Sequence, residues 1–130
     1  MVAQLDKVTF DCADPGRLAD FWARSLGWEV DDVDDEGAFI SPVGTTDETP
    51  WQGVYFQKVP EGKVAKNRFH IDIRVAGERP VDPAQREQWV RAKSAELVGA
   101  GATVVREDAY DGQFSHIVML DPEGNEFCVA

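Results

Sequence analysis

From Lys7 to Cys12 polar and apolar side chains alternate, with Lys7, Thr9 and Asp11 set against Val8, Phe10 and Cys12. That period of two belongs to a strand with one wet face and one dry face. Beyond Asp14-Pro15 the period changes, and Leu18, Phe21, Trp22 and Leu26 recur at helical spacing. Asp14 suits an N-cap, Pro15 the first helical position and Gly27 a left-handed C-terminal cap, so the pattern predicts a helix over 16–25. Trp28-Glu29-Val30 then resumes a strand, the acidic run 31–37 reads as a hairpin turn, and Ala38 to Ser41 reads as its second arm. Residues 42–50 are loop-like, and Trp51 to Gln57 is the next strand.

The same order returns in the second half. His70 to Val75 alternates as a strand, Asp82-Pro83 starts a helix that runs to about Val98, and Gly99-Ala100-Gly101 ends it. Ala102 to Val105 is strand-like, and Gln113 to Leu120 with Gly124 to Val129 completes a hairpin. Aligning Lys7 with His70 gives an offset of 70 − 7 = 63 residues, so each half is a strand, helix, strand, strand, strand unit. The repeats span 1–57 and 69–130 of one domain. Residues 58–68, rich in Lys and Gly with Pro60, form the linker and not a basic binding patch.

In the second half Ile71, Ile73 and Val75 oppose His70, Asp72 and Arg74. The apolar faces of both first strands must pack under helices. The opposite faces gather Lys7, Asp11, His70, Asp72 and Arg74, too many charges for a closed core, so they meet solvent or line an open cleft. The net charge of −11 repels phosphate backbones and anionic membranes, which argues against nucleic-acid and membrane partners. Cys12 and Cys128 are isolated and form no Cys-x-x-Cys pair, and the N-terminus carries no apolar leader, so the expected setting is reduced and cytoplasmic. The acidic run near Asp32 fails as a calcium loop, because Val43 stands where the twelfth-position Glu belongs.

Asp121-Pro122-Glu123-Gly124-Asn125-Glu126-Phe127 combines a tight turn with the start of a strand. With Phe21-Trp22 before Leu26-Gly27, and His70-Ile71-Asp72, it resembles the closing hairpin and frame of the glyoxalase/bleomycin-resistance/extradiol-dioxygenase superfamily, also called vicinal oxygen chelate, in its small glyoxalase-like branch. The resemblance covers nearly the whole chain. It implies an α+β fold of two βαβββ repeats, with curled mixed sheets forming a cleft and helices outside. It also implies a homodimer, whose contact must be apolar at its centre to overcome the charge.

In metal-bearing relatives, four cleft residues, usually His, Glu or Gln, hold a divalent ion. The resemblance puts those places at Lys7, Gln57 or its neighbour Phe56, His70 and Cys128. An ammonium at position 7 has no lone pair to give, so the reading is no metal cofactor. His70 becomes the candidate catalytic base. Lys7 is either charge balance for Asp11 or Asp72, or the holder of an anionic group. If the repeat sets it beside His70, it keeps that imidazole neutral. Thr9, Asp11, Gln57, Asp72 and Cys128 join Lys7 as ligand-binding candidates, and Trp51 is either a roof over a ligand or a plain anchor. His116 has no partner visible in sequence and reads as structural.

The expected function is the binding of a small polar or anionic metabolite, with isomerase- or lyase-type chemistry that uses no metal if the protein is an enzyme. Two alternatives follow from the resemblance. One is a metal-dependent enzyme of the lactoylglutathione-lyase or dioxygenase type, and the other is an antibiotic-sequestering protein of the bleomycin-resistance type.

Overall fold

The computed structural model describes residues 1–46, 53–75 and 82–130. The chain divides into two compact units, Met1–Gly62 and Lys63–Ala130. Each is a βαβββ module with a mixed four-stranded sheet and one helix, so the α+β architecture expected from the repeat is present.

In the first unit the order is β1 (Lys7–Cys12), α1 (Pro15–Leu26), β2 (Glu29–Val33), β3 (Gly37–Ser41) and β4 (Gly53–Lys58). The sheet order is β1-β4-β3-β2, with β1 parallel to β4 and the other pairs antiparallel. Helix α1 forms where the caps direct it: the Asp14 carboxylate accepts from the Arg17 amide at 3.2 Å, and Gly27 closes the other end in the left-handed region. A left-handed residue without a Cβ costs no steric clash there. Leu18, Phe21 and Trp22 are buried against the sheet, with Ala38, Ile40, Val54 and Phe56 among the buried strand residues. Phe10 meets Trp22 and Phe56 edge-on at ring distances of 5.7 and 5.3 Å, and Phe21 meets Trp22 at 5.4 Å. The dry face foreseen for Val8, Phe10 and Cys12 is therefore the core face.

The second unit runs β5 (Ile71–Ile73), α2 (Pro83–Gly99), β6 (Thr103–Tyr110), β7 (Gln113–Leu120) and β8 (Glu126–Val129). Its sheet order is β5-β8-β7-β6, again with one parallel pair, β5 with β8. Asp82 caps α2 by accepting from the Ala84 amide at 3.1 Å. Ile73, Ile117, Met119, Phe127 and Val129 are buried, as are Val90 and Leu97 of the helix.

Arg86 donates to the Ser115 and Phe114 carbonyls at 2.8 and 2.9 Å, and the Arg91 guanidinium lies 4.9 Å from the Phe114 ring centre. The Asp121 to Asn125 turn is built on one carboxylate. Asp121 is buried and accepts from the amides of Glu123 and Asn125 at 2.9 and 3.0 Å, while Gly124 takes the positive φ of 83° that the turn needs.

Three strands differ from their sequence expectations. β2 runs on to Val33 through acidic residues expected in the hairpin turn, β5 ends at Ile73 instead of Val75, and β6 continues to Tyr110 instead of stopping at Val105. The charged run Arg106-Glu107-Asp108 hides strand character from hydrophobic alternation, but β7 supplies its ladder partners. The Trp51 end of the fourth strand lies outside the described residues.

Candidate functional site

The face of the second sheet turned away from α2 is assembled by register. Asp72 stands opposite Cys128, Cys128 opposite Val118, and Val118 opposite Arg106, so these four share one row across the strands. His70 precedes β5 by one residue and stands two before Asp72, and its Nε2 lies 3.2 Å from an Asp72 carboxylate oxygen. Metal-binding or proton-bearing atoms of His70, Asp72 and Cys128 all fall within 4.8 Å of one another. The His70 and Asp72 side chains are 49% and 67% exposed, so solutes reach them freely.

Cys128 is a free, buried thiol. Burial first, then the charge of Asp72 and a hydrogen bond to it, push its pKa up to about 11. A thiol so held stays protonated at neutral pH and is a poor nucleophile. The cluster therefore offers an exposed imidazole steadied by a carboxylate, beside a sulfur that is a proton donor when nothing displaces its proton.

A second polar group lies on the neighbouring strands. Asp108 accepts from Arg106 Nε at 2.9 Å, and its other carboxylate oxygen is 3.1 Å from His116 Nε2. The Ser115 hydroxyl is 2.9 Å from His116 Nδ1. The Arg106 hydrogen bond, supported by the charges of Arg106 and His116, holds the Asp108 carboxyl below the usual carboxylate range. Asp108 pairs with His116 and Ala109 with Phe114, so Ser115 is an extra residue in β7 at a bulge. Such a bulge re-aims side chains, which brings this serine alongside the imidazole.

Sequence reading missed Arg106 and Asp108 and left His116 without a partner. The two-residue spacing of Arg106 and Asp108 marks a shared strand face once β6 is known to extend that far, and that was the signal available.

In the first unit Lys7, Thr9, Asp11 and Gln57 occupy one sheet face, as their alternation required, with Thr9 opposite Tyr55 and Asp11 opposite Gln57. Lys7 pairs at 2.7 Å with its chain neighbour Asp6, and not with the Asp11 that charge balance had suggested. Asp6 precedes the strand and lies within reach of the lysine, whereas Asp11 is four residues further along β1. Tyr55 was not foreseen. It leans over Gly37, where an added Cβ would sit 2.0 Å from the phenol oxygen, so glycine is what lets the ring lie flat on this face. Trp51 is outside the described residues. His70, Asp72 and Cys128 are thus brought together within one unit, while Lys7, Thr9, Asp11 and Gln57 gather in the other.

The ion implied by the family resemblance would be a hard one held by His, Glu or Gln. His70, Asp72 and Cys128 supply one imidazole, one carboxylate and one thiol, which does not fit an octahedral, oxygen-rich centre.

The model of a family described as the glyoxalase-like domain matches residues 7–130. No curated protein matches this chain. Among solved structures it is similar to a glyoxalase/bleomycin resistance protein/dioxygenase family enzyme from Burkholderia phytofirmans, with a TM-score of 0.69 at 16% identity over 98% of this chain and 97% of that one. It is also similar to the genomically encoded fosfomycin resistance protein FosX from Listeria monocytogenes, with a TM-score of 0.68 at 12% identity, covering 99% and 93% of the two chains. A mutant of that protein, complexed with Mn(II) and 1S,2S-dihydroxypropylphosphonic acid, gives a TM-score of 0.65 at 12% identity over 99% and 90%. At these identities the likeness is one of fold.

Proposed function

The chain belongs to the glyoxalase-like domain family, and from that premise we propose that it binds a small polar or anionic metabolite on the open face of its second sheet, at His70. The observation that carries this reading is the pairing of an exposed imidazole with Asp72 at 3.2 Å on a face not covered by the unit's helix. A carboxylate on one ring nitrogen orients the imidazole and leaves the other nitrogen for a ligand. An imidazole so held suits the proton transfers of isomerase or lyase chemistry. The phosphonic acid bound by a mutant of one structural neighbour supports an anionic class of ligand.

The test is a thermal-shift and calorimetric screen of small carboxylates, phosphonates and hydroxy acids against chelator-treated protein. A ligand that binds at His70 is expected to lose about 1–3 kcal/mol of affinity in His70→Ala, the worth of a charge-assisted hydrogen bond, while the fold is kept. Equal affinity in wild type and variant refutes the placement.

A further inference from the structure

A second array lies further along the same sheet and uses neither His70 nor Cys128. Asp108 and His116 are directly opposed in the ladder of β6 and β7, and Ser115 is the extra residue of the bulge beside them. The Ser115 hydroxyl is 2.9 Å from His116 Nδ1, and His116 Nε2 is 3.1 Å from an Asp108 carboxylate oxygen. Hydroxyl, imidazole and carboxylate thus form one chain, in which each ring nitrogen has its own partner.

Charge decides which way the protons point. The Arg106 hydrogen bond lowers the Asp108 pKa, so at neutral pH this carboxylate accepts and does not donate. A neutral imidazole then carries its proton on Nε2, toward Asp108, and its Nδ1 lone pair accepts from the Ser115 hydroxyl. That is the tautomer a general base beside a hydroxyl nucleophile requires, with a carboxylate behind the ring.

The array is held and it is reachable. Arg86 extends from α2 to the carbonyls of Phe114 and Ser115, so the bulge is tied at two successive residues. The Asp108 and His116 side chains are each 30% exposed, and Ser115 is half-buried. Water reaches groups so placed, so their direct bonds are not needed merely to satisfy buried polar atoms.

We propose that Ser115 is a nucleophile that takes acyl groups from small activated esters, with His116 as its general base and Asp108 as the positioning residue that orients the ring. Ser115 Oγ bonds to the ester carbonyl carbon as its proton passes to His116 Nδ1. The bond from that carbon to the alcohol oxygen then breaks, the electron pair stays with the oxygen, and Nδ1 gives it the proton. Water, deprotonated by the same nitrogen, attacks the acyl-serine and yields the carboxylic acid, while Nδ1 returns the proton to Ser115 Oγ. An activated ester suits the site because its good leaving group lowers the demand for oxyanion stabilisation.

The experiment uses the full chain and two probes, an alkyl fluorophosphonate and p-nitrophenyl acetate quenched in acid. Peptide mass spectrometry is expected to place the phosphonyl or acetyl group on Ser115, and urea-unfolded protein is expected to leave that serine unmodified. His116→Ala is expected to slow the modification by at least about a hundredfold. Should that variant fold poorly, Ser115→Cys keeps the geometry, and its thiol is expected to react with iodoacetamide faster than free cysteine does. Nitrogen NMR of the His116 ring is expected to show the proton on Nε2. Asp108→Ala is expected to lose that preference and to slow labelling, and Asp108→Glu to restore both.

An unmodified Ser115 in folded protein, labelling indifferent to His116→Ala, or a ring proton on Nδ1 overturns the proposal. The ligand reading at His70 stands or falls separately, because its screen measures the binding of acids that carry no ester.

Discussion

Helices α1 and α2 occupy the same place in the same βαβββ order, yet different forces fasten them to their sheets. The first is held by apolar volume: Leu18, Phe21 and Trp22 are almost fully buried, and Trp22 stacks edge-on with both Phe10 and Phe21. The second buries Val90, Ser94 and Leu97, and adds a polar tie made of Arg86 on two β7 carbonyls and Arg91 on Glu107 of β6. The contrast extends to the charged groups. Among the described residues, every group whose pKa is moved clearly from its ordinary value, Arg91, Arg106, Glu107, Asp108, Cys128 and Glu126, belongs to the second unit. One topology thus accommodates a module held by apolar packing and a module held in part by paired charges, because the strand period separates a dry face, which must be filled, from a wet face, which is free to carry polar groups.

The largest expected effect tests the packing half. Trp22→Ala should destabilise the protein by about 3–5 kcal/mol, whereas Trp89→Ala, at a partly exposed position on α2, should cost less than about 1 kcal/mol. Urea unfolding followed by circular dichroism checks both. Comparable losses would show that the two helices are held alike and dissolve the contrast.

Acid should divide the units next. Arg91 holds the Glu107 carboxyl below its ordinary range, and Arg106 does the same for Asp108. Burial pushes Glu126 up, but the Asn67 amide and Lys63 outweigh it and leave it lowered. A carboxyl whose folded pKa is depressed contributes stability that is fully present above its unfolded value and is lost as pH falls through the folded value. The window therefore lies below about pH 4, the ordinary carboxylate range. Residue-resolved amide exchange over that range should show protection falling in β6, β7 and β8 before it falls in β1, β3 and β4. The reverse order would remove the assignment of charge to the second unit.

The smallest effect sharpens the same point. Arg91 and Glu107 form an exposed pair, so Arg91→Ala should lower the thermal midpoint only slightly, and the loss should shrink as salt rises. A large, salt-independent loss would mean that the stacking of Arg91 on Phe114 outweighs its charge.

Much of the frame was legible in the chain itself. Asp14-Pro15 and Asp82-Pro83 announce both helix starts, Gly27 closes α1 with its positive φ, and Asp121 to Asn125 writes out the last turn. These are local matters, decided by the dihedral preferences and hydrogen-bonding reach of neighbouring residues, and therefore readable from neighbours. Alternation likewise fixed which side of β1 and β5 is wet. The strength of β6 was not legible, since a run of charged residues forms a strand only when a partner supplies its ladder.

The site was legible only in part. Sequence put His70 and Asp72 on an open face and the family resemblance put Cys128 in a cleft, but neither set the three within 4.8 Å of one another, and His116 was left apart from Asp108 and Ser115. Those meetings depend on which residue of β5 stands opposite which residue of β8, and on one bulged residue in β7. A slip of one position would send every side chain of a strand to the other face. Register is settled by the burial of Phe127, Val129, Ile117 and Met119 in the shared core, contacts between residues far apart in the chain, and for that reason tertiary structure alone decided it.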